Sequence, residues 1–255
     1  MKTFNCNKML VKVFDTNQAL GEAAAIDLGS ILKDQITEHG QAAVIFATGN
    51  SQLSFFRALR QLEGILWNKV TIFHMDEYLG MKATHPASFR RYLREKIVDF
   101  VHPEKFFGIE GDTLDIEAEL ARYESLLRDY QPVACVMGIG ENGHLAFNDP
   151  PADFKAKNDI QVVKLAHSAR QQQVGEGHFE SLDDVPKQAI TLTIPTLLRP
   201  RHVLAVVPES RKAHAVKAAL EGPISPDCPA SILRSQDHVS LYLDRESASL
   251  IDLPG

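Results

Sequence analysis

The segment Gly138-Ile-Gly-Glu-Asn-Gly-His-Leu-Ala-Phe-Asn-Asp-Pro150 brings one imidazole, one carboxylate and one amide close together in sequence: His144, Asp149 and Asn142. Histidine is the side chain best suited to moving a proton near neutral pH. A carboxylate five residues on fixes its tautomer if the loop folds back. The apolar run 133–137 before it reads as a buried strand. Gly138, Gly140 and Gly143 then break that strand and let the backbone lie close to a ligand. This is the layout of a general acid–base site at the carboxyl end of a sheet strand. Its plain alternative is a glycine-rich surface turn that happens to carry a histidine.

Three further segments sit where strands give way to helices or turns. In Phe46-Ala-Thr-Gly-Asn-Ser-Gln52, backbone N–H groups at a helix start form an anion site, to which Thr48 and Ser51 add hydroxyls while Gly49 permits close approach. Phosphate is the natural occupant; the alternative is an ordinary N-cap by Asn50 or Ser51. In Phe73-His-Met-Asp-Glu-Tyr78, Asp76 and Glu77 follow a buried strand, and ionised carboxylates are rarely buried without partners. One can serve as a base and the other as a contact, unless both lie on a solvated strand end. In Pro208-Glu-Ser-Arg-Lys212, Lys212 or Arg211 reaches a phosphate, or is a basic residue on a solvated helix.

These segments need strands to hold them. Strand patterns fall at 11–14, 42–47, 70–75, 133–137, 202–207 and 239–243. Helical patterns fall at 17–39, 52–62, 86–97, 116–130 and 211–220, with a short helical tail from 245. Alternation of continuous apolar strands with helices predicts an α/β, Rossmann-like, mostly parallel sheet with helices on both faces, in a single domain over 1–255. The more polar stretch at about 150–187 breaks the alternation and reads as a lid or a small subdomain over the strand ends. Trp67, Phe55 and Phe56 read as core or interface aromatics. Asp183 and Asp184 read as a solvated turn, and Gln171-Gln-Gln173 as polar surface or a ligand contact.

Composition narrows the function classes. A formal net charge of −6 on 255 residues argues against nucleic acid or an anionic membrane as main partner. Cys6, Cys135 and Cys228 are far apart and form no CxxC, which suits a reducing cytoplasm. His85 and His167 have no sequence-near ligands, so no metal site is expected. No apolar stretch approaches the roughly 20 residues of a membrane span, and the first residues lack the apolar core of a signal peptide.

Taken together, the motifs resemble the glucosamine-6-phosphate deaminase/isomerase family, a relative of the 6-phosphogluconolactonases. The resemblance runs nearly the whole length, through Ala47-Thr-Gly-Asn-Ser51, Met75-Asp-Glu-Tyr78, the 138–150 turn, Val185-Pro-Lys-Gln-Ala-Ile-Thr-Leu-Thr193 and Cys228-Pro-Ala-Ser231. It implies an amino-sugar phosphate as substrate, isomerised from aldose to ketose and deaminated without metal or organic cofactor. On that resemblance His144, oriented by Asp149 and assisted at Asn142, opens the sugar ring, and Asp76 moves a proton from C2 to C1. It also implies substrate binding by Thr48, Gly49, Asn50, Ser51, Glu77, Gly143, Arg170 and Lys212.

The chain departs from the family pattern at several points. The acid that orients the histidine is usually Glu and here is Asp149, one methylene shorter, so His144 would be held through a water or a shifted loop. Asn142, an amide, cannot act as a base. Many deaminases carry a phosphate-binding Arg in the lid; here His167-Ser-Ala-Arg170 runs into Gln171-Gln-Gln-Val-Gly-Glu-Gly177, which leaves Arg170 as the substitute. Residues 159–163, Asp-Ile-Gln-Val-Val, offer no basic group for an allosteric sugar phosphate. Competing functions are the same chemistry on galactosamine 6-phosphate, hydrolysis of 6-phosphogluconolactone, and a non-catalytic sugar-phosphate sensor. Nothing in the sequence chooses between a monomer and a homo-oligomer.

Overall fold

The computed structural model describes residues 1–175, 177 and 179–253. Its strands are β1 Lys2–Cys6, β2 Met9–Phe14, β3 Ala42–Phe46, β4 Val70–His74, β5 Asp76–Tyr78, β6 Lys105–Phe107, β7 Ala134–Met137, β8 Ile160–Lys164, β9 Gln188–Leu192, β10 His202–Val207 and β11 Val239–Asp244. The helices are α1 Asn17–His39, α2 Leu53–Leu59, α3 Phe89–Leu93, α4 Asp99–Val101, α5 Ile116–Tyr130, α6 His167–Gly175, α7 Ile194–Leu197 and α8 Ala213–Glu221. One sheet has the order β1-β2-β11-β10-β7-β3-β4-β6 and is parallel throughout except for the edge hairpin β1–β2. This is the mostly parallel α/β sheet that the apolar strands predict.

Side chains of β3 show why these strands are continuous apolar runs. Ala43 and Ile45 enter one core with α5, α7 and α8 residues, while Ala42, Val44 and Phe46 enter a second core with α1 and α2. A strand packed on both faces has no solvent side to carry polar residues. The first helix begins where Thr16 Oγ1 accepts from Ala19 N at 3.1 Å, and it ends at Gly40 in the left-handed conformation. Its Gly21 lies so close to α2 that an added Cβ would sit 2.6 Å from the Ser54 carbonyl carbon.

Two connections define where a ligand can sit. β3 continues to β4 on one side, whereas β7 continues to β10 on the other. The strand order therefore reverses between β3 and β7, and at such a point the loops leave a crevice outside the carboxyl ends of the strands. All four motif-bearing segments leave the carboxyl ends of β10, β7, β3 and β4, which are neighbours.

A second, three-stranded antiparallel sheet, β5-β9-β8, stands beside these ends and is not foreseen from the sequence. The expected lid is therefore built from a strand and a helix, β8 and α6, with β9 closing the segment; its positions 176 and 178 lie outside the described residues. The pattern at 86–97 resolves into α3, a wide turn at Arg94–Val98 and α4. The tail from 245 forms turns instead of a helix, although Asp244 accepts Ser247 N at 2.8 Å as a helix cap would. Phe55 and Phe56 are buried core, and Trp67 packs partly buried against it. Among the described residues no helix is long and apolar enough to cross a membrane.

Gly21→Ala tests the α1–α2 contact. Overpacking against backbone is expected to destabilise the fold by about 1–3 kcal/mol despite alanine's better helix propensity, as measured by urea unfolding.

Candidate active site

The chain leaves the large sheet at His74, bends at Met75 and enters the small sheet at Asp76. Asp76 pairs with Thr191 of β9 and lies 6% exposed at the inner wall of a cleft. Its Oδ1 is buried without a hydrogen-bond partner. Burial first, and the adjacent Glu77 second, push its carboxyl up to about 8. The preceding His74 is fully buried; its Nε2 accepts from Ile109 N at 2.7 Å, and burial lowers it to about 3, so it stays neutral.

Glu77 points the other way. Its carboxylate accepts from Tyr78 N (3.0 Å), Ser88 Oγ (2.8 Å), Phe89 N (3.1 Å), Arg90 N (3.0 Å) and Arg90 Nε (3.3 Å). Arg90 passes the brace on to Met81 O and Asp112. Burial raises the Glu77 carboxyl above its ordinary value, and these hydrogen bonds pull it back. The expectation that Glu77 binds substrate is thus corrected: alternation along β5 turns it inward, where it fixes the start of α3 and places Phe89 in the cleft wall.

His144 stands on the turn after β7. The turn closes through Gly140 N to His144 O (2.9 Å) and Gly143 N to Gly140 O (2.9 Å). Asn148 ties it to the small sheet by donating to Leu145 O (2.9 Å) and Leu192 O (2.8 Å). The imidazole lies flat on Gly140, where an added Cβ would meet ring atoms at 2.2–2.4 Å. Nδ1 of His144 lies 2.7 Å from Asn142 Oδ1 and 3.4 Å from Asp149 Oδ1. Asn142 Nδ2 donates to Asp149 Oδ1 at 3.1 Å, so Asn142 Oδ1 is an acceptor toward the ring. Both neighbours of Nδ1 are acceptors; Nδ1 carries the proton and Nε2 is the basic nitrogen. Burial raises the Asp149 carboxyl, but hydrogen bonds from His144, Asn142 and Ala166 N outweigh it, and the group rests below the usual carboxylate range. The shorter acid therefore needs neither a water nor a shifted loop: Asn142 bridges it to the ring. Asn142 and Asp149 stand behind His144, outside the cleft lining.

On the opposite side, residues 47–51 follow β3. Gly49 has φ of 100°, and a 3-10 turn, Asn50–Gln52, precedes α2 with no side-chain cap. Neither Asn50 nor Ser51 serves as the N-cap, so the capping alternative for this loop is not what the structure shows. Thr48, Gly49, Asn50, Ser51 and the buried Lys212 line the cleft with Asp76 and His144.

Two expectations are corrected besides Glu77. Arg170 of α6 donates its guanidinium to Leu182 O and Val185 O, pinning the lid to itself instead of reaching the cleft. Gly143, at φ of 84°, backs onto Cys228 and Pro229, and its carbonyl is taken by Ala230 N at 2.9 Å. Of the three lid glutamines, Gln173 reaches the cleft wall; Gln171 is exposed, and the side chain of Gln172 lies outside the described residues. Arg211, weighed beside Lys212 in the sequence, also lines the cleft. Among the described residues no group of three His, Cys, Asp or Glu side chains could hold a metal ion. A larger cavity of about 840 Å³ opens at the amino ends of β3 and β7, against about 80 Å³ for the cleft. The larger one has Arg128, Arg199 and Arg201 in its rim near the ends of α1 and α5, the ordinary place for cations. Convergent acid and base groups mark the smaller one.

The sequence from 15 to 242 matches the model of the family of glucosamine-6-phosphate isomerases and 6-phosphogluconolactonases. The chain belongs to that family. It is 37% identical over 222 residues to a glucosamine-6-phosphate deaminase of Exiguobacterium sibiricum, covering 87% of this chain and 86% of the relative. It is 35% identical to glucosamine-6-phosphate deaminase 1 of Bacillus subtilis, over 95% and 99% of the two chains. A solved monomeric glucosamine-6-phosphate deaminase superposes with a TM-score of 0.85 at 34% identity, over 94% of this chain and 99% of that one. A 6-phosphogluconolactonase from Shewanella baltica shares the fold, with a TM-score of 0.77 at 20% identity over 94% and 99%.

Two consequences are measurable. Between pH 4 and 8 the unfolded chain ionises Asp76 while the folded chain keeps its proton, so stability falls as pH rises through that window. Asp76→Asn, which cannot ionise, is expected to match wild type near pH 4 and to gain on it toward pH 8, by at most about 1.4 kcal/mol per unit, in calorimetric unfolding. Gly140→Ala is expected to displace the imidazole and lower turnover by about 100-fold or more with the fold intact, as read by steady-state kinetics and circular dichroism.

Proposed function

We propose that this chain converts glucosamine 6-phosphate and water to fructose 6-phosphate and ammonia in the cytoplasm. The observation that carries the reading is the pair of proton-transfer groups in one cleft: a buried carboxyl without a partner, Asp76, and an imidazole with its Nε2 basic, His144. The relatives that share the whole length support it.

The phosphate sits on the 48–51 loop and Lys212, at one end of the cleft. His144 Nε2 takes the proton of the C1 hydroxyl and delivers it to the ring oxygen, opening the pyranose. Asn142 and Asp149 hold Nδ1 protonated and stabilise the imidazolium that forms in between. Asp76 then takes the proton from C2 and returns it to C1, while the proton given up by the amino nitrogen ends on O1, so that the C1 carbonyl becomes a hydroxyl and the C2–N bond an imine. Water adds at C2 and ammonia leaves. A carboxylate with no hydrogen-bond donor is a stronger base than one in water, which is what a carbon acid demands. Lactone hydrolysis needs no base at C2 and gives Asp76 nothing to do. The free cysteines agree with a reducing compartment.

Purified protein should release ammonia and fructose 6-phosphate from glucosamine 6-phosphate, with galactosamine 6-phosphate and 6-phosphogluconolactone assayed in parallel. Turnover of the lactone alone would overturn the reading. The kcat/KM is expected to climb with pH to about 8 as Asp76 ionises in the free enzyme. Asp76→Asn should lose the deamination, and substantial activity in that variant would remove Asp76 from the C2 step.

A further inference from the structure

Two cations stand in the cleft wall among the described residues, Arg211 and Lys212, and both come from one short turn after β10. The lid supplies the neutral amide of Gln173, because Arg170 is held by Leu182 O and Val185 O. A phosphate dianion resting on Lys212 and backbone N–H groups would keep one negative charge unmatched. We propose that Arg211 is the second phosphate ligand, so that this chain grips its substrate's phosphate from the cleft wall instead of from the lid. The proposal rests on the amino-sugar phosphate reading above and names the residue that completes its phosphate site.

The turn is built to place this side chain. Glu209, which opens it, has φ of 81° and ψ of 143°, a conformation that side-chain-bearing residues rarely adopt. It is held there from outside: Asp244 accepts Glu209 N at 3.1 and 3.2 Å, and Glu209 O accepts Lys212 N at 3.0 Å. Asp244 is itself fixed by Ser247 N at 2.8 Å. The phosphate loop is stitched to the same strand, since the buried Gln52 Nε2 donates to Val206 O at 3.3 Å and to Ser51 Oγ at 3.0 Å. Loop and turn therefore keep a fixed spacing across the cleft.

The guanidinium is aimed by two glutamates. Arg211 Nε donates to Glu209 Oε2 at 2.6 Å, and Nη1 lies 3.6 Å from Glu141 Oε1 in the turn that carries His144. Glu141 is exposed, and its ion pair with Arg211 Nη1 at 3.6 Å is of the kind that contributes little in water. A planar fork suits bidentate contact with phosphate oxygens, which the ammonium of Lys212 cannot make.

The rival role is a strut, in which Arg211 merely ties the 209–212 turn to the His144 turn. Calorimetric titration of the full chain with inorganic phosphate, alongside kinetics on glucosamine 6-phosphate, separates the two. Arg211→Gln is expected to weaken phosphate about 10- to 100-fold and to raise KM by a similar factor with kcat within about threefold. Arg211→Lys keeps the charge and should recover part of that loss; it is the variant to read if the glutamine form does not fold. Glu141→Gln breaks the strut and leaves the cation, and should bind phosphate as tightly as wild type or more so. Phosphate affinity unchanged within about twofold in Arg211→Gln, or an equal loss in Glu141→Gln, would overturn the proposal. The same holds if wild type does not bind phosphate at all. Failure to deaminate, with phosphate binding and its Arg211 dependence intact, would count against the reaction alone.

Discussion

Two consecutive carboxylates leave water where the chain passes from one sheet to the other, and much of the molecule follows from how that is resolved. Burying an ionised carboxylate is tolerated when donors surround it. Glu77 gathers those donors from Ser88, Phe89 and Arg90, and in doing so fixes the path of residues 79–93 and the aromatic floor made by Tyr78, Phe89 and Phe147. Asp76 gets none, and its neighbour's charge makes its own ionisation harder still. One residue is satisfied so that the next can be reactive.

The imidazole depends on a similar division. Asn142 cannot exchange a proton, yet it does two things at once: it accepts from the ring and donates to Asp149. Asp149 also accepts Ala166 N at 3.2 Å, at the point where β8 hands over to α6. The carboxylate is thereby shared between the catalytic turn and the root of the lid. Asn148 and Phe147 between them bind the turn to β9, Phe147 N donating to Thr191 Oγ1 at 3.1 Å. The run Phe-Asn-Asp after the histidine turn is thus three anchors, two to β9 and one to the root of the lid.

How much of this can be read from residues alone depends on the range of the interaction. The six strands and the helices at 17–39 and 116–130 announce themselves because burial on both faces, or one apolar stripe, is written locally. The four strand-end motifs could be found because each breaks a strand with residue types that a core does not use. The small sheet could not, because β5 has three residues and its partners lie more than a hundred positions away, at 188–192. The inward turn of Glu77 has the same origin: adjacent acids look alike in sequence, and only the pleat decides which one faces the cleft. Arg170 was misplaced because nothing local shows that Leu182 O and Val185 O fold back to meet it. The signal for Gln173 was present as a run of amides, without a means of telling which of them looks inward.

The crevice at the reversal of strand order draws on four separate loops, each rooted in its own buried strand. Because the roots are separate strands, one loop can be rewritten while the others keep their places, provided that ties such as Gln52 to Val206 O and Asn148 to Leu192 O remain. Asp76, at the start of β5, belongs to a different segment from His144, and both differ from the turn that carries Arg211 and Lys212. A lineage with this scaffold can therefore exchange its means of recognising a sugar, or abandon a carbon base altogether, without first surrendering its proton shuttle. Divergence in such an architecture proceeds by parts, and the sheet beneath records little of it.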